Sequence, residues 1–187
     1  FNLKISYTYN SNNYIETEYL EYWHNNTIYN KGLYSYTYNT DGTISEKLYK
    51  KFQSNIWVNL TRWIYTYNSS GSMLTQIYQR WTNNVWINDT KRSYNYDLNN
   101  FLVSNIEEIW MNNSWLNSNL FTKTYNSNGD LISDLWQSWQ NNQWETLSKK
   151  TSSYDSFGNK LNTITEQWIN NSWEVNNKLT YAYDSYG

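Results

Sequence analysis

The side chains with the most chemical reach in this sequence are its rings, 12 Trp and 20 Tyr in 187 residues. An indole or a phenol joins an apolar body to a polar tip, which suits stacking on sugar rings and equally suits lining a packed interior. Acid–base chemistry has thinner material. The one histidine, His24, stands at a position held elsewhere by Thr82, Met111, Gln140 and Ile169, and a lone turn histidine completes neither a triad nor a zinc site. With no cysteine, thiolate nucleophiles, thiolate metal sites and disulfides are excluded. Glutamates recur in one register at Glu21, Glu108 and Glu166, but Lys50, Gln79 and Gln137 occupy that register in the other copies. Paired catalytic carboxylates need one site unlike the rest, so cross-strand polar partners are the expected role. Asp41, Asp97, Asp130, Asp155 and Asp184 fall in turns, where Asx hydrogen bonding accounts for them. Each such loop offers too few carboxylates for a calcium shell. The expectation is no enzyme, with no catalytic, cofactor-binding or metal-binding residue.

Composition narrows the partners. Charged residues make up 16% of the chain and the net charge is −2, which gives no basic footprint for nucleic acid and no polybasic stretch for a membrane surface. No apolar run approaches the ~20 residues of a spanning helix, and membrane insertion is not expected. Asn-x-Ser/Thr sequons at Asn25, Asn59, Asn68, Asn88, Asn112 and Asn170 fit a glycan-decorated surface, although an Asn- and Thr-rich chain produces them by chance.

What positions the rings is a repeat. Tyr9, Tyr38, Tyr67, Tyr96, Tyr125, Tyr154 and Tyr183 each begin a Tyr-Asn or Tyr-Asp step, spaced 29 residues apart without insertion or deletion. Two more positions keep the same phase. One reads Trp23, Phe52, Trp81, Trp110, Trp139 and Trp168; the other reads Ile28, Trp57, Trp86, Trp115, Trp144 and Trp173. A fixed period of this size marks an array whose units contact chiefly their neighbours, here one continuous array over 1–187 of about six and a half units. The sequence opens at Phe1 within a repeat and stops at Gly187 within a turn, as expected of a window cut from something longer.

Two turn signals alternate. Trp-x-Asn-Asn-x-Trp, with Asn83-Asn84 and Asn112-Asn113 as examples, suits a two-residue type I′ hairpin because asparagine tolerates positive φ. It places Trp81 opposite Trp86. Asn/Asp-x-x-Gly, ending at Gly42, Gly71, Gly129 and Gly158, suits a three-residue loop closed by a left-handed residue, with Asn13 and Asn100 replacing glycine in two copies. Between the turns lie strands without proline, rich in Tyr, Trp, Thr and Ile. Propagating both turns pairs Tyr67 with Met73 and Trp63 with Ile77. That register gathers Trp63, Tyr65, Tyr67, Met73, Ile77, Trp81, Trp86, Tyr94 and Tyr96 on one face. It also shears the sheet by two residues per unit, a tilt of roughly 35°. The expected fold is therefore all-β: an antiparallel meander of two-strand repeats curled into a spiral, tube or shell with an aromatic inner face.

The segments Tyr36-Thr37-Tyr38-Asn39-Thr40-Asp41-Gly42-Thr43-Ile44 and Tyr65-Thr66-Tyr67-Asn68-Ser69-Ser70-Gly71-Ser72-Met73 resemble the YD repeat of rearrangement-hotspot shells and teneurin-type barrels. The Trp-x-Asn-Asn-x-Trp hairpin is an addition to that signature. The resemblance implies hairpins joined into a hollow spiralling sheet, secreted or exposed at the cell surface. Residues and resemblance together point to a structural extracellular array, its partners being copies of itself or neighbouring repeats of a longer chain. The alternative is a carbohydrate-binding or adhesive module with glycans as partners.

Overall fold

The structure, a computed structural model, describes residues 2–184; Phe1 and Gly187 lie outside the described residues. Thirteen strands follow in chain order: β1 (Asn2–Tyr9), β2 (Ile15–His24), β3 (Thr27–Tyr38), β4 (Ile44–Gln53), β5 (Ile56–Tyr67), β6 (Met73–Thr82), β7 (Val85–Tyr96), β8 (Leu102–Met111), β9 (Ser114–Tyr125), β10 (Leu131–Gln140), β11 (Gln143–Tyr154), β12 (Lys160–Ile169) and β13 (Ser172–Thr180). Each neighbours the next in one antiparallel meander, and the described order is open, with β1 and β13 at its ends rather than paired into a barrel. Contacts divide the chain into two units, Phe1–Lys91 and Arg92–Gly187.

Both turn types form as the side chains dictate. Asn83 and Asn84 have φ of 51° and 63°, and Asn112 and Asn113 of 51° and 60°, the left-handed pair that a type I′ turn requires. At the glycine turns the Gly42 amide donates to the Asn39 carbonyl at 3.1 Å, and Asn39 in turn donates to Thr43 at 2.8 Å. Gly42, Gly71, Gly129 and Gly158 have φ of 78–87°, while Asn13 and Asn100, at 62° and 64°, take the same conformation without a glycine. The leading Asx side chain fastens the loop. Asn68 Oδ1 accepts from the Ser70 and Ser72 amides, and Asp155 Oδ1 from those of Phe157 and Asn159.

The shear is present. Tyr49 pairs with Tyr34 on one side and Thr61 on the other, 27 residues apart against a period of 29. The single aromatic face is not. Beside the glycine turn the pairing steps from Tyr67↔Met73 to Thr66↔Thr75, leaving Leu74 as an extra residue, so Trp63 faces Tyr78 and Ile77 faces Ile64. A second bulge interrupts β3, β5, β9, β11 and β13. Leu60 is the extra residue in β5, Ser118 in β9, Leu147 in β11 and Asn176 in β13, with Tyr29 a little nearer its turn in β3. One added residue sends everything beyond it to the opposite face.

Two faces result. In the first unit Trp23, Phe52, Trp57, Ile77, Trp81 and Trp86 share one face, and Tyr34, Tyr36, Tyr38, Trp63, Tyr65 and Tyr67 share the other. In the second unit Trp110, Trp115, Trp139, Trp144, Trp168 and Trp173 lie on the tryptophan face, whereas Tyr125 and Tyr154 lie opposite. Both faces stay partly wet. Among the described residues only Leu20, Gly32 and Thr163 count as buried.

Two turn glycines carry a second constraint. A Cβ on Gly42 would lie 2.5 Å from the Tyr14 hydroxyl, and one on Gly129 would lie 2.8 Å from the Phe101 ring, whereas Gly71 and Gly158 face open space. Tyr14 and Phe101 stack on Tyr38 and Tyr125 at 4.9 and 5.0 Å, so neither ring can simply swing away. Gly71→Ala is expected to lose about 1–2 kcal/mol, the cost of the left-handed backbone. Gly129→Ala should add an overpacking cost of about 1–3 kcal/mol. Urea unfolding of both variants checks this, and equal losses would count against the ring contact.

Candidate functional site: paired tryptophans and tyrosine clamps

The hairpin ends put ring against ring. Trp81–Trp86, Trp110–Trp115, Trp139–Trp144 and Trp168–Trp173 meet edge to face with centroids 4.9–5.1 Å apart, and Phe52–Trp57 does the same at 5.2 Å. Opposed rings on a non-hydrogen-bonded pair favour this T-shaped contact, worth about 0.5–1.5 kcal/mol beyond burial. Cations from the preceding repeat lie over the second ring of a pair: the Arg62 guanidinium sits 4.6 Å from the Trp86 centroid and Lys149 Nζ 4.3 Å from that of Trp173. Each such contact adds about 0.5–1 kcal/mol at a partly exposed site.

The polar register beside these rings has cross-strand partners. Lys4 pairs with Glu21 and Lys149 with Glu166, each at 3.1 Å. Gln79 accepts from Arg62 and donates to Asn88, and Gln137 donates to Thr146. His24 is exposed where β2 meets its Asn25-Asn26 turn. Among the described residues no three His, Cys, Asp or Glu side chains gather closely enough to hold a metal ion. Asp41 is held below the ordinary carboxylate range by hydrogen bonds from the Thr43 hydroxyl and amide.

The repeating tyrosine has a task that its spacing did not disclose. Tyr38 donates its hydroxyl to the Ile15 carbonyl at 2.7 Å, Tyr67 to Ile44 at 2.9 Å, Tyr125 to Leu102 at 2.9 Å, Tyr154 to Leu131 at 3.0 Å and Tyr183 to Lys160 at 3.0 Å. Every acceptor lies 23 residues earlier, at the start of the preceding short strand. Because the register shears, the phenol overhangs that strand's end and ties one repeat to the next.

Residues outside the periodic positions form a further cluster in the first unit. Tyr34 packs on Tyr49 at 4.7 Å and on Trp63 at 6.4 Å, and Lys47 Nζ lies 4.1 Å from the Tyr34 ring. Gly32 makes the room, since a Cβ there would come within 2.8 Å of the Tyr49 ring. Tyr36 donates to Glu18 at 2.9 Å. The alternation of Tyr34, Tyr36 and Tyr38 along β3 is the sequence signal for this cluster, and Tyr34 stands outside the positions that repeat every 29 residues. In the second unit a groove of about 480 Å³ lies between successive turns, walled by Asp97, Phe101, Lys123, Tyr125 and Asn126. The Lys123 ammonium is engaged by Asp134.

No protein-family model matches the chain, and neither does any curated protein. Among solved structures it is similar to a DUF3836 family protein from Parabacteroides distasonis at 17% identity and a TM-score of 0.39, covering 50% of this chain and 91% of that one. It is also similar to a protein of unknown function from Bacteroides fragilis at 10% identity and a TM-score of 0.33, covering 82% and 94%. A third likeness, to a chain of a TcdB2–TccC3–Cdc42 structure, has 14% identity and a TM-score of 0.35, covering 98% of this chain and 11% of that one. Scores this low carry no argument about function.

Removing one clamp should weaken the array without dismantling it. Tyr67→Phe is expected to lower the unfolding free energy by about 1 kcal/mol, the net worth of one hydrogen bond, measured by urea denaturation; an unchanged midpoint would discount the clamp. Burial raises the Tyr34, Tyr36, Tyr49 and Tyr67 phenols above their ordinary 10.0, assisted at Tyr36 by the bond to Glu18. A raised folded value means that this stabilisation is complete below pH 10.0 and is lost as pH climbs through the folded value. Phenolate absorbance should accordingly show a late class that ionises together with alkaline unfolding. Titration of all tyrosines in one early step would contradict it.

Proposed function

We propose that this chain is a structural repeat array, a segment of a fibre, shell or spacer built by stacking β-hairpins, without a catalytic role. The observation that carries this reading is the recurrence of one lock, a tyrosine hydroxyl on the carbonyl 23 residues earlier, at Tyr38, Tyr67, Tyr125, Tyr154 and Tyr183. A lock repeated in phase supports a molecule in which copies are interchangeable and length is the useful property. The ladder carboxylates fit the same reading, because Glu21 and Glu166 face lysines rather than converging on a cleft. Kinship with YD-repeat arrays, and a place outside the cell or on its surface, rest on the Tyr-x-Tyr-Asn-x-x-Gly segments at 36–44 and 65–73. The partners are neighbouring repeats or further copies, joined by strand addition at a sheet edge.

Interchangeable copies make a direct test possible. Deleting residues 39–67 removes one whole period and joins Tyr38 to Asn68, which occupies the place of Asn39. The shortened chain should fold, keep its near-ultraviolet aromatic signal per residue, and form particles about 10 Å shorter along the strand-stacking direction. An unfolded product would sink the spacer reading, because it would mean that the copies are not equivalent.

A further inference from the structure

Ten of the 12 tryptophans hold the paired hairpin positions, and two, Trp63 and Trp136, do not. Trp63 is enclosed by Tyr34, Tyr78 and Lys47 at 6.4, 5.2 and 6.0 Å. Trp136 is different. It is 40% exposed, on the face opposite the paired tryptophans, with Phe121 facing it from β9 and Ser148 from β11. The Phe121 ring lies parallel to the indole, 9° apart in plane and 6.0 Å between centroids. Ser148 is too short to cover the other side. The same register elsewhere holds Leu20, Tyr49, Tyr78, Glu107 and Thr165, so the repeat does not call for an indole here.

A polar chain fixes the indole and surrounds it. Trp136 Nε1 donates to Asn119 Oδ1 at 2.9 Å, Asn119 Nδ2 donates to Glu107 Oε2 at 3.1 Å, and Arg92 Nε donates to Glu107 Oε1 at 2.6 Å. The carboxylate oxygens of Glu107 and the amide oxygen of Asn119 each keep a second lone pair, fit to accept from hydroxyl groups. Next to the indole the charges are paired: Arg92 answers Glu107, and Lys123 answers Asp134. Lys150, exposed opposite Asp134, adds one cation at the margin, but an anionic ligand on the indole would meet the Glu107 carboxylate beside it. A nucleic acid strand would lack the basic groove that it needs.

We propose that Trp136, with Asn119 and Glu107, binds a neutral sugar chain of pyranose rings whose substituents are equatorial. The axial C–H bonds of such a ring form a flat apolar surface for the indole, and its rim hydroxyls donate to Glu107 and Asn119. Arg92 positions the carboxylate, and Phe121 backs the indole. This goes beyond the structural role, giving one part of an otherwise repetitive array a grip on a neutral polysaccharide.

The test is titration of the ¹⁵N-labelled full chain with cellotetraose, followed through the indole N–H signals. The Trp136 signal is expected to shift and saturate, while those of Trp81, Trp86, Trp168 and Trp173 stay in place. Trp136→Ala should weaken binding at least about tenfold and Glu107→Gln by a smaller factor, with the remaining indole signals unmoved as the check on folding. Should Trp136→Ala disturb the fold, Trp136→Phe supplies the stacking surface without the N–H and is expected to retain weakened binding. A Trp136 signal that does not move, shifts confined to the paired tryptophans, or an equal response to galactotetraose would each overturn the proposal. The result is independent of the unit deletion, because residues 39–67 contribute nothing to this site.

Discussion

A strand of 12 residues hydrogen-bonded between strands of 10 has more backbone than its neighbours can pair, and the sheet must dispose of the surplus. It does so in two ways. Part becomes shear, so successive glycine turns are staggered along the sheet. Part becomes bulges in the body of the long strands, whereas the bulge beside the glycine turn puts its extra residue in the short strand, as Leu74 does in β6. The tyrosine clamps follow from the stagger, because only an overhanging ring can reach the carbonyl that opens the preceding short strand. The separation into a tryptophan face and a tyrosine face follows from the bulges.

Stability in such a molecule has no single centre. With Leu20, Gly32 and Thr163 the only described residues to count as buried, cohesion comes from many partly exposed cross-strand contacts. Ring pairs close each asparagine hairpin, cations lie across from one repeat to the next, and phenols tie strand starts to later strand ends. These contacts link near neighbours, which is the energetic form expected of a repeat array.

The repeated backbone is decorated unevenly. On the tyrosine face the first unit carries Tyr34 packed on both Tyr49 and Trp63, with Gly32 giving room for Tyr49. At corresponding registers the second unit carries Arg92, Glu107, Asn119 and Trp136, linked by hydrogen bonds. Hairpin turns and paired tryptophans continue through both. Variation therefore concentrates where the backbone does not depend on it, and that is where recognition can be placed without disturbing the scaffold.

The period, the two turn types, the left-handed asparagines at Asn13 and Asn100 and the antiparallel meander were all legible in the sequence. Each depends on residues within a few positions of one another, and local backbone sterics decide them. The opposition of Trp81 and Trp86 was legible for the same reason. The face on which Trp57 lies relative to Tyr65 was not. The bulges at Leu60, Ser118, Leu147 and Asn176 have no one residue type in common, and no local rule marks them. They are set in the pairing of each such strand with the short strand before it, and β13 carries one although β12 is its sole described neighbour. The phenol-to-carbonyl locks and the network holding Trp136 are likewise products of assembly. Their partners lie 23 and 17 residues apart and meet only after register and bulge have both been set.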